Sequence, residues 1–261
     1  MRTSDVRVLT NASSTLRACA AVLCCASAQA AQAAMPLATD DAGTVGAEHW
    51  QLELASQYSR DRADGTRTTE VALPLPAIAY GILESLDVVV GGAAAWTETR
   101  AAGERQAKTE MAELGADVKW RFLDREPIDL ALKVGAVFPT AEGSTGDGSY
   151  HALLVVTSEE IAGGLHLNVG YTFNADQDGV RRDQWLGSVA LQVPARETLS
   201  LVGEVGIEQN PELGADEPLA FAQVGGIYSA SELINLDAGI RRGLTDAATD
   251  WSFALGCTIA W

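Results

Sequence analysis

The chain has 261 residues, with 18 Lys and Arg against 35 Asp and Glu, a formal net charge of −17 and 47% hydrophobic residues. That composition is too apolar for a disordered chain and too acidic to hold nucleic acid through its phosphates. No apolar run reaches the roughly 18 residues that a spanning helix needs. A barrel is not excluded on that ground, because only every second residue of its strands meets lipid.

Residues 1–33 read as a cleaved signal peptide. Arg2, Arg7 and Arg17 precede a short apolar stretch, Ala18–Ala28, and then the small-residue options Ala28-Gln29-Ala30 and Ala31-Gln32-Ala33. Loss of the signal takes three of the four cysteines and leaves Cys257, so neither an internal disulfide nor a cysteine metal site is expected. It also removes three Arg and one Asp, which leaves 15 cations against 34 anions, or −19.

From Trp50 onward the chain alternates apolar and polar residues with the period of a strand. Trp50, Leu52, Leu54 and Tyr58 share one face, opposite Gln51, Glu53, Gln57 and Ser59. A second segment spans 67–80 and a third 86–97. Leu114, Ala116, Val118, Trp120 and Phe122 oppose Asp117, Lys119 and Arg121. Ile128–Phe138, 150–158, Leu165–Phe173, 184–194, 199–208, 218–229, 233–241 and Trp251–Trp261 repeat the pattern. This makes about twelve segments, most of them near the 9–11 residues of a tilted bilayer-crossing strand. Pro74 and Pro76 interrupt the second, where a bulge or a local break is expected because proline cannot donate to a ladder.

Short connections near 81–85, 123–127, 159–163, 195–198 and 230–232 alternate with longer ones near 61–66, 99–109, 140–149, 175–182, 209–217 and 242–250. An up-and-down barrel has this rhythm, with tight periplasmic turns and longer outer loops. Aromatics such as Trp50, Tyr58, Trp96, Trp120, Trp185 and Trp251 fall on the apolar parity near segment ends, as interfacial girdles do. The last segment ends on Trp261, the form of C-terminal strand read by the barrel-assembly machinery. The fold expected is all-β, an up-and-down antiparallel transmembrane β-barrel of about 12 strands over 34–261. It would sit in the outer membrane among its lipids, with both termini periplasmic.

Several stretches resemble the MetA-pathway phenol-degradation family of outer-membrane proteins. They are Pro36-Leu37-Ala38-Thr39-Asp40-Asp41-Ala42-Gly43-Thr44, Ala79-Tyr80-Gly81-Ile82, Gly115–Phe122, Phe138-Pro139-Thr140 and Asp237–Thr245. After Phe138-Pro139-Thr140, Ala141 stands where the family has glycine. The resemblance implies a barrel with a transport role, for aromatic or otherwise hydrophobic compounds.

The polar parity supplies the lumen-facing candidates Glu53, Asp87, Glu113, Asp117, Lys119, Arg121, Asp129, Lys133, His166, Glu204, Asp237 and Arg241. Their mixed charge either braces a narrow barrel or lines a permeation path, whose acidic excess favours cations or neutral polar solutes. Lys119, Arg121 and Lys133, near Asp117 and Asp129, suggest a salt-bridged constriction. No catalytic constellation, metal site or cofactor is legible. Asn174-Ala175-Asp176-Gln177-Asp178-Gly179 begins like a calcium loop but has Trp185 where the final Glu belongs, and reads as a solvated outer loop. The function expected is a channel or transporter for a small-molecule solute. The alternatives are a lipid-hydrolysing barrel, which needs a Ser/His/acid set at the lipid boundary, and a structural barrel without transport.

Overall fold

A computed structural model describes residues 36–63, 65–73, 76–138, 140, 148–161, 163–175 and 180–261. The expected signal at 1–33 and the core of the calcium-like loop at 176–179 lie outside them. The strands are β1 (Trp50–Ala63), β2 (Thr66–Leu73), β3 (Ala77–Leu83), β4 (Leu86–Ala101), β5 (Glu104–Arg125), β6 (Ile128–Phe138), β7 (Ser149–Ser158), β8 (Leu165–Asn174), β9 (Asp183–Arg196), β10 (Leu199–Glu208), β11 (Leu219–Ser229), β12 (Ile234–Gly243) and β13 (Trp251–Ala260).

From β4 on, each strand pairs antiparallel with its successor, and β13 pairs with β1 to close the sheet. Both β2 and β3 lie between β1 and β4. They are two halves of one stave, broken between Leu73 and Ala77, so thirteen strands make a closed barrel of twelve staves. Pro76 stands outside both strands, immediately before β3; Pro74 lies outside the described residues. Closure satisfies the backbone of every stave without leaving an edge, which lipid requires.

Two connections differ from the sequence reading. The loops expected over 61–66 and 99–109 are strand for most of their length: β1 runs to Ala63 and β2 starts at Thr66, and β4 and β5 are joined by a tight turn at Ala102–Gly103. Beyond the bilayer both faces of a hairpin meet water, so the apolar alternation stops although the ladder continues. Periodicity marks the end of the membrane belt rather than the end of the strand.

Polarity is inverted relative to a water-soluble sandwich. Outward residues are large and apolar, with Val224 61% and Leu255 65% exposed, whereas Asn168 is 1% and Glu204 4% exposed. Exposed aromatics gather toward the two ends of the staves. Trp50, Trp120, Phe122, Tyr228 and Trp261 mark the end with the short turns and the termini; Tyr58, Phe138, Tyr150, Tyr171, Trp185, Trp251 and Phe253 mark the other. Trp251 and Trp261 bracket the last stave, ten residue steps apart. That is about 34 Å along a strand, and about 26 Å in height at a tilt of ~40°, close to the ~25 Å apolar band of such barrels. The seam is locked where Trp50 and Trp261 exchange backbone hydrogen bonds of 2.9 and 3.0 Å.

A charge placed in the middle of this outer face should be costly. Val224→Arg on β11 is expected to lower unfolding stability in lipid vesicles by about 2–4 kcal/mol. Arginine at an exposed position of a water-facing sheet would leave stability nearly unchanged, so urea titration of the two proteins separates the cases.

Candidate functional site

The segment Pro36–His49 adds no strand and runs through the interior of the barrel. Leu37 packs against Ala190, Val202 and Ile227, and Ala42 against Ala131, Val155 and Leu153. Pro36 lies in a dent formed where Gly225 of β11 pairs with Gly239 of β12. A Cβ on either glycine would come within 2.7 or 2.8 Å of the proline ring. Leaving the interior, the segment pairs with β3: Glu48 donates its N–H to Gly81 at 2.8 Å, and Gly81 donates back to the carbonyl of His49 at 3.0 Å.

Asp40 is the centre of this arrangement. Lys119 of β5 and Lys133 of β6 stand directly opposite one another in the register. Their ammonium groups both reach the Asp40 carboxylate, at 3.0 and 2.9 Å, and all three side chains are buried. Asp41 adds a second carboxylate 3.9 Å from Lys119. Asn168, with its amide nitrogen turned toward Asp40, donates to the Asp40 carbonyl at 3.0 Å and accepts from its N–H at 2.7 Å. One residue thus has both charge and backbone satisfied by three strands. Burial alone would push the Asp40 carboxyl up, but Lys119 and Lys133 overcome this and hold it below the usual carboxylate range.

The other wall contacts follow along the segment. Glu204 accepts from the Thr39 hydroxyl at 2.6 Å and from the Ala38 N–H at 2.9 Å. Ala42 donates its N–H to Thr157 at 2.8 Å, and the Thr157 hydroxyl lies 3.0 Å from Nδ1 of His166. Val45 donates to Asp87 at 3.0 Å. Gln223 bonds the Pro36 carbonyl and accepts from Arg241 at 2.7 Å, and the Arg241 guanidinium stacks 4.0 Å above the Phe221 ring.

Of the sequence candidates, Asp87, Lys119, Lys133 and Glu204 are therefore brought together by the segment, with His166 joined through Thr157 and Arg241 through Gln223. Glu53 is half-buried and accepts from Gln51 at 2.6 Å. Asp237 is buried against Gly256. The side chain of Glu113 lies outside the described part of the structure. The constriction expected from Lys119, Arg121 and Lys133 with Asp117 and Asp129 is assembled differently. Arg121 bonds the Glu84 carbonyl at 3.2 Å and pairs with Asp124 at 3.1 Å by the turns. Asp129 accepts the Arg125 N–H at 3.0 Å. Asp117 meets Nε2 of His151 at 2.6 Å, a contact that reaches across β6 because position 135 is glycine; a Cβ there would lie 1.6 Å from the carboxylate. Sequence reasoning did not find Thr39, Asp40, Thr157 or Asn168 as site residues. The signal for Asp40 was the cross-strand pair of like charges, which needs an anion from elsewhere.

A cavity of about 270 Å³ remains between the segment and the wall. It is lined by Asp40, Asp41, Glu53, Asp87 and Asp237, with Lys119 as the single cation, alongside Gln51, Asn235 and Thr258. Oδ1 of Asp87 and of Asp237 has no hydrogen-bond partner among the described residues. His151 and His166 both sit inside, away from the lipid face where a hydrolase would need them.

No family model matches the chain, and no curated protein matches it in sequence. Among solved structures it is similar to the COG4313 outer membrane channel from Pseudomonas putida F1, at 12% identity, 85% of this chain, 98% of that chain and a TM-score of 0.65. It is also similar to the translocator domain of the autotransporter NalP from Neisseria meningitidis, at 13% identity, 82% of this chain, 88% of that chain and a TM-score of 0.55. At such identities the likeness is one of fold, and the resemblance to the phenol-degradation family is carried by its short motifs alone.

Two outcomes follow from the charge arrangement. Asp40→Asn leaves Lys119 and Lys133 buried without their anion, and should weaken segment docking by about 3–5 kcal/mol, read as loss of hydrogen-exchange protection over 36–49. Because the Asp40 carboxyl is held low, its contribution is complete above the ordinary aspartate value of 3.8 and is lost as pH falls through the lower folded value. Protection of the segment should therefore be unchanged between pH 7 and 4 and disappear in stronger acid. Its closed staves, polar interior and apolar outer belt make the chain an outer-membrane β-barrel.

Proposed function

We propose that the barrel is a passage for small solutes, with the bore set by the Pro36–His49 segment. The observation that carries this reading is the carboxylate-lined cavity beside the segment, with the unpartnered oxygens of Asp87 and Asp237 in its wall. Both residues line the cavity, where these oxygens are free to accept hydrogen bonds from water or from a passing solute.

The lining favours small cationic or neutral polar solutes that donate hydrogen bonds, and it disfavours anions. The hydrophobic or aromatic solutes implied by the family resemblance would meet Ala77, Ala79, Val89 and Ile227 on part of the same wall. Five carboxylates facing one lysine weigh toward the polar class.

The test is conductance of the refolded protein in planar bilayers, paired with solute flux into liposomes. Discrete, cation-selective conductance is expected. Removal of residues 36–45 should raise it severalfold, and Glu53→Gln with Asp237→Asn should shift the reversal potential toward neutrality. Faster entry of phenol than of a small amine would favour the aromatic class. Absence of both conductance and flux, with the segment removed as well as present, would overturn the reading.

A further inference from the structure

The outer surface of an acidic protein should carry few cations, yet six of the arginines lie on one part of it. Arg62 of β1 pairs with Arg67 of β2, Arg67 with Arg100 of β4, and Arg100 with Arg105 of β5. Four arginines thus form one unbroken row across four neighbouring strands, at the ends of two adjacent hairpins. One step below lie Arg60 and Arg242, both paired in register with Trp251.

The row faces outward. Arg62 has the parity of Tyr58, which is exposed and tilted against the exposed Phe253. Arg62, Arg67, Arg100 and Arg105 are themselves exposed. Because Arg60 stands level with Trp251, the row is two residues above the outer aromatic girdle. That is about 7 Å along the strand and about 5 Å in height at a tilt of ~40°, the level of lipid headgroups rather than of bulk water.

Like charges directly opposite on neighbouring strands are destabilising, and here three such pairs adjoin. Glu98 bridges Arg100 and Arg105, and Asp250 pairs with Arg242. Among the described residues Arg62 and Arg67 have no carboxylate partner. Planar guanidinium forks match phosphate bidentately. We infer that this row is a docking surface for the phosphate groups of the lipopolysaccharide that forms the outer leaflet. An acidic polypeptide would also satisfy the charge, but it would not require the row to follow the girdle at headgroup height.

The test measures binding of lipid A to the full refolded chain in neutral detergent, by native mass spectrometry. Phosphorylated lipid A should bind at least tenfold more tightly than enzymatically dephosphorylated lipid A. Arg62→Gln with Arg67→Gln should weaken binding by roughly thirtyfold, about fivefold per arginine. Arg125→Gln with Arg196→Gln, at the opposite rim, should leave it unchanged. Equal affinity for the two lipids overturns the inference, and so does equal loss in the two double variants. Should the first variant not fold, the comparison of the two lipids on the unaltered chain decides alone. Binding of an acidic peptide in place of phosphorylated lipid would also count against it.

Discussion

A buried carboxylate held between two ammonium groups is the constraint from which the interior of this protein follows. Lys119 and Lys133 face one another across β5 and β6. Taking a single ion out of water costs several kcal/mol, and a second of like sign beside it adds repulsion. The wall strands do not supply the anion at that point, because Asp117 is committed to His151. Asp40 supplies it, and brings with it a stretch of chain that must pass through the bore. The remaining contacts, to Glu204, Thr157, Asp87 and Gln223, are those a polar wall can make to a backbone already placed by that one charge.

The staves were legible because lipid imposes a strict parity on them. Trp50–Ser59, Ile128–Phe138, Leu165–Phe173 and Trp251–Trp261 could be read residue by residue, since any charge on the outward parity of the belt would be expelled. The same rule explains where reading stopped. Above the belt the parity relaxes, and the hairpins ending at Ala63 and Ala101 looked like loops. Inside the barrel there is no periodicity at all. Pro36–Gly43 has neither alternation nor helical spacing, and its role depends on contacts to residues as distant as Gln223.

Register posed a further difficulty. A two-residue turn at Glu126–Pro127 would pair odd positions of β5 with even positions of β6. The pairing shifts by one between Arg121 and Leu123, so that Phe122 and Leu123 both face outward. This bulge sets Lys119 opposite Lys133. Without it each lysine would face an apolar residue of the other parity, and Asp40 would have one partner. The adjacent apolar residues between Arg121 and Asp124 are the trace it leaves in the sequence, visible once the closed ladder is known.

The threaded segment also fixes an order of events. Its polar partners lie on every strand from β3 to β11, scattered around most of the circumference. No subset of hairpins presents them together, and contacts of such sequence separation form late. The segment can therefore make its full set of contacts only in a barrel whose strands are already assembled around it.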